Sequence, residues 1–370
     1  MKKFKVIFSL LILILISATL VYVYFNKKDS KEAKESKTEN VVEENTVENN
    51  TNTDAIDESD NATKSDNKVD SSTPVGAHGR LSVKGTKLVD KNGEIYSLKG
   101  VSTHGIAWFP QYVNKDTFQT MRDDWGINVV RLAMYTDPSA GYSTAMHEKV
   151  KEGVGYATDL GMYVIIDWHI LSDGNPNTYK QQAISFFKEM TTLYKDYDNV
   201  IYEICNEPNG NVTWSKDIKP YAEAVIKEIK TISPNALILC GTPTWSQDVD
   251  VVANDPIQGY DNIMYTLHFY ADTHRDNIRN KAQVALDKNL PLFVSEFGIC
   301  DASGNGNINE EEANKWIDFL NKNNISWVCW NLSNKNESSA LLSPSTNKIS
   351  GWTIDELSRE GKWLLNALKK

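Results

Sequence analysis

Two glutamates of this sequence, Glu207 and Glu296, each stand at the end of an apolar run, within Tyr-Glu-Ile-Cys-Asn-Glu207 and Phe-Val-Ser-Glu296. A carboxyl group that is buried alone is costly, so carboxyl groups that follow buried runs are candidates for a functional site. Two carboxyl groups that face one sugar ring can cleave a glycosidic bond. One must be protonated and donate to the leaving oxygen, and the other must be ionised and attack the anomeric carbon. This chemistry requires a fold that brings Glu207 and Glu296 together.

The sequence after residue 75 alternates between short β-branched or aromatic runs and stretches with helical periodicity. Several of the runs are almost continuously apolar, as expected for strands that are covered on both faces. The eight predicted strands are Tyr96–His104, Asn128–Met134, Tyr163–His169, Val200–Glu207, Leu237–Thr242, Ile263–Tyr270, Pro291–Gly298 and Ser326–Leu332. The clearest predicted helices are His147–Leu160, Asn177–Tyr197, Ile218–Ile232, His274–Asn289, Glu310–Asn323 and Ile354–Leu368.

Eight strand–helix units predict an α/β fold, a TIM (β/α)8 barrel. A doubly wound open sheet is less favoured, because no Gly-x-Gly-x-x-Gly follows the first strand. Alternating apolar residues around Asn92-Gly93 predict an N-terminal β-hairpin, which could cap the floor of the barrel.

The active site of a TIM barrel gathers at the carboxyl ends of its strands. Seven of the eight predicted strands end in Glu, His, Arg, Tyr or Trp, and this shared direction indicates a site. Arg131 and Tyr270 are expected to hold Glu296 ionised, by charge and by a hydrogen bond. Glu207 is expected to lack such a cation and to keep its proton to higher pH. Aromatic rings offer apolar faces to pyranose rings, so Trp108 and Trp330 are placed in a cleft. Four further tryptophans are predicted to be core: Trp125, Trp316, Trp327 and Trp363.

Three unlike segments make up the chain. Residues 1–25 carry three lysines followed by the apolar run Val6–Phe25, long enough to cross a bilayer as a helix. Its bulky aromatic end favours a retained membrane anchor over a cleaved signal sequence. Residues 26–75 are predicted to be a disordered acidic linker, because apolar residues are sparse there and aromatic residues are absent. Residues 76–370 form the predicted barrel domain.

Several stretches resemble the signatures of glycoside hydrolase family 5, the retaining cellulases. The catalytic signatures are Val200–Gly210 and Phe293–Gly298, and Val164–Asp173, Gly241–Asp248 and Met264–Tyr270 resemble the bacterial endoglucanase branch. The resemblance covers nearly all of residues 76–370. This sequence departs from the family pattern at Cys205, at Phe297 and at Ile299-Cys300.

The resemblance implies a role for each matching residue. Glu207 would be the acid/base and Glu296 the nucleophile. Asn206 would bond the sugar 2-hydroxyl. The remaining implied residues are His104 and His169 in the −1 subsite; Arg131, His268 and Tyr270 around the two carboxyl groups; Trp330 as the sugar platform; Trp108, Tyr135 and Trp245 on flanking units; and Lys335 with Glu337 as a −2 hydroxyl-binding pair.

The predicted function is therefore endo-acting, retaining β-1,4-glucan hydrolysis. Two alternatives stay open: another β-glycanase, acting on mixed-linkage β-glucan, mannan or xylan, or a non-catalytic surface glucan-binding protein. The expected partners are a β-glucan and, through the N-terminal helix, a membrane. The catalytic domain is expected to be monomeric and extracellular, either tethered or secreted. A net charge of −10 with no basic block argues against nucleic acid.

No cofactor is predicted from the sequence. The spacing from Asp301 to Glu312 resembles a calcium loop, but Ser303 at its third position and a preceding strand argue against calcium. His104, His169 and His268 carry no zinc-site spacing. The four cysteines contain no Cys-x-x-Cys and are expected to be buried free thiols.

Overall fold

The computed structural model describes residues 70–370 of the chain. The predicted anchor at residues 1–25, and all of the predicted linker up to residue 69, lie outside the described residues. Among the helices of residues 70–370, none combines the length and the apolar character that a membrane crossing requires.

Two short strands, β1 (Ser82–Lys84) and β2 (Lys87–Val89), come before eight parallel strands that close into a barrel. The barrel strands are β3 (Lys99–Thr103), β4 (Val129–Tyr135), β5 (Tyr163–His169), β6 (Val200–Glu203), β7 (Leu237–Cys240), β8 (Ile263–Tyr270), β9 (Leu292–Gly298) and β10 (Trp327–Leu332). They pair in the order β10-β3-β4-β5-β6-β7-β8-β9, and β10 pairs with β9. The predicted (β/α)8 barrel is confirmed. The predicted run Val200–Glu207 is too long, because the chain leaves the sheet after Glu203. The amides of Asn206 and Glu207 bond instead to the carbonyls of Trp168 and Ile170.

Helices cover the outside of the barrel. The longer α-helices are Lys115–Asp123, Met146–Asp159, Lys180–Tyr194, Lys219–Ile232, Asp276–Asp287, Glu310–Lys322 and Arg359–Ala367. Short helical segments occupy Pro74–His78, Pro110–Tyr112, Pro138–Ala140, Trp214–Ile218, Pro243–Ser246, Val249–Val252 and Ile354–Glu356. The single helix predicted at Ile354–Leu368 is wrong. Two N-caps divide it: Thr353 forms a capping box with Glu356, and the Ser358 side chain accepts from the amide of Gly361.

The N-terminal hairpin exists, but its turn differs from the predicted one. β1 (Ser82–Lys84) pairs antiparallel with β2 (Lys87–Val89), so the paired strands turn at residues 85–86. Around Asn92-Gly93 only the isolated bridge between Val89 and Ile95 forms. The Asp90 carboxylate accepts the amides of Asn92 and Glu94 there, which closes the loop locally. Leu81 and Leu88 pack among the lowest side chains inside the barrel, so the hairpin caps its floor.

The barrel interior changes character along the strands. Its lower half is an apolar cluster that includes Val129, Tyr163, Ile165, Ile201, Leu237, Leu239, Met264, Phe293 and Val328. Every second residue of a strand faces the same side. Two residues beyond four of these positions stand Arg131, Asp167, Glu203 and Ser295, all fully buried. The interior therefore turns polar directly above the apolar floor, and this polar layer carries the site.

Candidate active site

A cavity of about 690 Å³ opens where the barrel strands end. Eleven of the fourteen predicted site residues line it: His104, Trp108, Tyr135, His169, Glu207, Trp245, Tyr270, Glu296, Trp330, Lys335 and Glu337. The other three, Arg131, Asn206 and His268, are buried beneath the lining and touch its carboxyl groups or their neighbours. The fold thus gathers all of the predicted residues in and directly under one cleft.

Glu207 and Glu296 meet in this cleft. A carboxylate oxygen of each and one ring nitrogen of His268 all lie within 4.8 Å of one another. Glu296 lies on β9, and Glu207 follows the end of β6. Carboxyl groups about 5–5.5 Å apart are typical of double displacement, whereas inverting enzymes leave about 6.5–9.5 Å for a water molecule. The observed approach is compatible with direct attack on a sugar held between the two groups.

The two carboxyl groups have different neighbours. Glu296 accepts from Arg131 Nη1 at 3.2 Å and from the Tyr270 hydroxyl at 2.9 Å. On balance burial and the nearby Glu207 raise the pKa of Glu296 above its ordinary value, and His268 and Arg131 oppose that rise without reversing it. Burial raises the pKa of Glu207 to about 8, with Asp167 and Glu203 adding to the rise and Arg131 opposing it. Glu207 has no direct contact with Arg131 among the described residues, so the geometry gives the two groups unequal access to positive charge.

Arg131 serves more carboxyl groups than the sequence analysis assigned to it. Its Nε and Nη2 bond both oxygens of Glu203, at 2.7 and 3.0 Å. Nη2 also lies 2.9 Å from Asp167 Oδ2 and 2.6 Å from Asn206 Oδ1. Sequence reasoning missed Asp167 and Glu203 as members of the site. A usable signal was present, since both are charged residues that share the inward face of an otherwise apolar strand.

His169 and Asn206 hold each other in a defined orientation. Burial and Arg131 lower the pKa of His169 well below its ordinary value, so the ring is neutral. Its Nδ1 lies 2.7 Å from the Asp167 carboxylate and therefore carries the hydrogen. Its bare Nε2 then accepts from Asn206 Nδ2 at 3.3 Å, and the same amide nitrogen donates to the Ile170 carbonyl. The Asn206 side chain is thereby fixed next to Glu207.

Aromatic side chains form the walls of the cleft. Trp108 is 48% exposed and stacks on Tyr135, and Trp330 stacks on His169. Trp245 is 44% exposed and lies on a segment, residues 244–246, whose three residues all have positive φ. The four tryptophans predicted to be core are buried: Trp125, Trp316, Trp327 and Trp363.

A cluster of polar side chains forms part of the cleft lining. Lys335 Nζ lies 2.7 Å from Glu337, whose other oxygen accepts from Asn331 Nδ2 at 3.1 Å. His104 Nε2 lies 3.4 Å from Lys335 Nζ. Burial and the Lys335 charge lower the pKa of His104 to about 4, so this ring is neutral. These side chains offer both donors and acceptors to hydroxyl groups.

The two ends of the calcium-like spacing serve other purposes. The Glu312 carboxylate pairs with Arg279, and the Asp301 carboxylate accepts from the amide and hydroxyl of Ser303 in its own loop. All four cysteines are free and buried, as predicted.

Comparisons with known proteins point to one family. The family model described as Cellulase (glycosyl hydrolase family 5) matches residues 89–336. An endoglucanase from Clostridium saccharobutylicum is 50% identical over 292 residues, which are 78% of this chain and 65% of that protein. Endoglucanase 5 of Pectobacterium carotovorum subsp. carotovorum is 50% identical over 301 residues, 81% of this chain and 59% of its own length. This chain thus spans about three fifths of the length of these relatives.

A solved structure extends the comparison to the fold. The catalytic domain of a Thermobifida fusca endoglucanase, in complex with cellotetraose, superposes with a TM-score of 0.75 at 35% identity. The match covers 80% of this chain and 100% of that domain.

Proposed function

The chain belongs to glycosyl hydrolase family 5, the cellulase family, and from that premise we propose that it is a retaining endo-β-1,4-glucanase. The observation that carries the proposal is the approach of the Glu207 and Glu296 carboxyl oxygens to within 4.8 Å, inside a cleft walled by exposed tryptophans. The relatives named endoglucanase support the choice of substrate.

In the first step, the Glu296 carboxylate attacks the anomeric carbon and the bond from that carbon to the leaving oxygen breaks. Glu207 donates its proton to this oxygen, and the shortened glucan leaves as an alcohol. The Arg131 and Tyr270 donors hold the Glu296 oxygens in place before attack. Burial keeps a proton on Glu207 at neutral pH, which suits a general acid.

In the second step, water replaces Glu296 at the anomeric carbon. The ester of Glu296 carries no negative charge, so a negative charge on Glu207 then meets less repulsion across the cleft than it would beside an ionised Glu296. Glu207, now deprotonated, takes a proton from water, the water oxygen bonds to the anomeric carbon, and the ester bond breaks. Two inversions leave the anomeric configuration retained.

The cleft is suited to a chain of sugars rather than to a single ring. Trp108 and Trp245 each leave almost half of their surface free, and Trp330 lines the same cleft. Flat rings match the C–H faces of pyranoses. Lys335 and Glu337 add charged partners for hydroxyl groups. We therefore assign the binding of flanking glucosyl units to these residues.

The proposal is tested with the full chain on soluble carboxymethylcellulose. Glu207→Gln should lower the release of reducing ends about 10²–10⁴-fold, and Glu296→Gln should lower it at least as much. The control is Glu94→Gln, an exposed glutamate at the barrel floor, which should leave the rate unchanged. NMR of cellopentaose hydrolysis should show the β-anomer first. Full activity of both active-site variants, or first formation of the α-anomer, would contradict the proposal.

The choice of polymer has its own test. Initial rates are compared on carboxymethylcellulose, mixed-linkage β-glucan, mannan and xylan. The β-1,4-glucan should be the best substrate, with a rapid fall in viscosity as the sign of internal cleavage. A preference for mannan or xylan would reassign the substrate while the carboxyl chemistry stands.

We also propose that the enzyme acts outside the cell. The apolar run Val6–Phe25, with lysines on both sides, supports an export sequence that is retained as an anchor or cleaved. When the apolar run is retained, the acidic residues 26–75 would tether the barrel to the membrane. Fractionation of expressing cells, followed by detection of the barrel domain, tests this placement. Finding the whole enzyme in the cytoplasm would contradict it.

A further inference from the structure

A line of three buried side chains, Glu203, Ser295 and His268, connects Arg131 to Glu207, the proposed acid/base. Glu203 accepts two hydrogen bonds from Arg131, and its Oε1 also lies 2.8 Å from the Ser295 hydroxyl. Ser295 Oγ lies 2.9 Å from His268 Nε2, and His268 Nδ1 lies 3.0 Å from Glu207 Oε1. Glu203 and Ser295 are fully buried and do not line the cleft. Neither contributes to the two steps described above.

The direction of each hydrogen bond in this line follows from its first member. A guanidinium group is always charged and can only donate, so both oxygens of Glu203 accept from Arg131. The Ser295 hydroxyl then donates its single hydrogen to Glu203 Oε1. Its oxygen can only accept from His268, so the hydrogen of the imidazole is on Nε2.

The same logic determines where the next proton sits. Burial lowers the pKa of His268 to about 4, so the ring is neutral and carries one hydrogen only. With that hydrogen on Nε2, Nδ1 is a bare acceptor that faces Glu207 at 3.0 Å. Two acceptors at this distance repel each other. The contact is favourable only when Glu207 Oε1 carries a proton and donates it to Nδ1.

We propose that Ser295 and Glu203 are positioning residues that hold the catalytic proton on Glu207, acting through the tautomer of His268. The proposal deepens the function proposed above and rests on it for its kinetic consequences. Once Glu207 has given its proton to the leaving group, the bare Nδ1 faces a carboxylate. This repulsion strengthens Glu207 as the base that takes a proton from water.

Other titratable groups act on the same proton, and their effects must be separated from that of the line. Those near Glu207 and His268 are Arg131 on β4, Asp167 and His169 on β5, Glu203 on β6, Tyr270 on β8 and Glu296 on β9. Asp167 provides a matched comparison for Glu203. Each is a buried carboxyl group beside Arg131, and each raises the pKa of Glu207, but Asp167 makes no contact with Ser295 in the described structure.

The first test reads the tautomer directly. The full chain, labelled with ¹⁵N-histidine, is compared as wild type and as Glu203→Gln. Arg131 Nε has a single hydrogen, which bonds Glu203 Oε2, whereas Nη2 also bonds Asp167 and Asn206. The amide oxygen of the glutamine should therefore stay at the Oε2 position, and its NH₂ group should face Ser295. The hydroxyl must then donate to His268, and the hydrogen of the ring moves to Nδ1. We expect Nε2–H for His268 in the wild type and Nδ1–H in the variant. Nδ1–H in the wild type would overturn the proposal, whatever the substrate of the enzyme.

The second test is kinetic and uses a double-mutant cycle. Loss of the line should let Glu207 release its proton earlier, so Glu203→Gln should lower the alkaline limb of kcat/KM by about one pH unit. Asp167→Asn, which removes a similar charge but leaves the line intact, should lower it less. In a Ser295→Ala background, Glu203→Gln should shift the alkaline limb of kcat/KM by no more than Asp167→Asn shifts it. An equal effect of Glu203→Gln with and without Ser295 would overturn the proposal.

A further pair of variants covers the case in which Glu203→Gln does not fold. Ser295→Ala removes the hydroxyl group that fixes the direction of the hydrogen bond with His268, and Ser295→Thr keeps that group. The alkaline limb should fall for alanine and return to the wild-type position for threonine. A dinitrophenyl cellobioside has a leaving group that needs no proton. With this substrate the alkaline limb of kcat/KM should be the same in Ser295→Ala and in Ser295→Thr. If wild type hydrolyses no β-1,4-glucan, the proposed function fails, and the NMR result still decides the line.

Discussion

The two halves of the barrel interior are built by the same strands and obey opposite rules. The lower half is an apolar cluster that includes Val129, Ile165 and Phe293, and the hairpin closes it from below. The upper half, two residues further along, holds a buried arginine in contact with three carboxyl groups. Removing apolar area from water stabilises the lower half, whereas burying charge costs free energy that pairing offsets only in part. The barrel thus separates the part that stabilises it from the part that does chemistry.

Arg131→Met should have the largest effect, because it breaks the upper half. The substitution leaves Asp167, Glu203 and Glu296 buried without their shared cation. Breaking a buried ion pair costs about 3–5 kcal/mol of unfolding free energy, and activity should be lost as well because Glu296 loses a donor. Urea unfolding and a carboxymethylcellulose assay measure both. Arg80→Met, at a partly exposed pair with Asp198, is the control and should change stability by less than about 1 kcal/mol. An Arg131→Met variant that is active and as stable as wild type would contradict the inference that these buried carboxyl groups depend on Arg131.

Phe293→Ala should be the next largest and should separate the halves. Phe293 is fully buried in the lower cluster, so its truncation should cost about 3–5 kcal/mol of unfolding free energy. The rate per folded molecule should stay near that of wild type at temperatures well below the unfolding transition, since the residue touches no substrate. Leu193→Ala, on an exposed helix face, is the control. A large loss of activity at full folding would mean that the floor also positions the site.

Glu207→Gln should have a smaller effect on stability, and its size should depend on pH. Burial raises the pKa of Glu207 from its ordinary value of 4.5 to about 8, so the folded protein holds this proton longer than the unfolded chain does. Folding stability therefore falls as pH rises from about 4.5 to about 8. Glutamine removes this loss, and the variant should exceed wild type by about 1–3 kcal/mol at pH 8. The difference should shrink towards pH 4.5. Thermal unfolding at both pH values measures it, with the exposed Glu223→Gln as control.

How far the sequence predicts the molecule differs between the same two halves. The alternation of eight apolar runs with helical stretches was sufficient to predict the barrel. Strands β5 and β8 match their predicted ranges residue for residue. The residues at the carboxyl ends of the predicted strands were then sufficient to predict many of the residues that line the cleft. The members of the upper half that were missed, Asp167, Glu203 and Ser295, share the inward face but lie below the cleft. Their partners depend on the height of each residue in the barrel, which follows from strand tilt and stagger and not from one strand's pattern.

The sequence also contains local capping and turn signals that the periodic pattern of apolar residues does not reflect. The stretch Ile354–Leu368 keeps a helical spacing of apolar residues, yet Thr353-x-x-Glu356 and Ser358-x-x-Gly361 are N-cap patterns inside or beside it. The side-chain hydrogen bonds of the caps outweigh the periodic pattern, and the helix starts afresh at Arg359. At the hairpin, Asn92-Gly93 is a turn sequence, but the carboxylate of Asp90 holds it as a loop with a single bridge.

The smallest effect is expected for Trp108, at the exposed rim of the cleft. This rim belongs to neither half of the barrel interior. Trp108 is 48% exposed and rests on Tyr135, so Trp108→Ala should leave unfolding free energy within about 1 kcal/mol of wild type. An aromatic contact with a sugar contributes about 1 kcal/mol, so KM for cellopentaose should rise about three- to tenfold while kcat changes little. Trp108→Phe keeps a ring on Tyr135 and should recover most of the affinity. If the alanine variant lost kcat rather than KM, Trp108 would act on the bond being broken, and the rim would have to be counted with the polar layer below it.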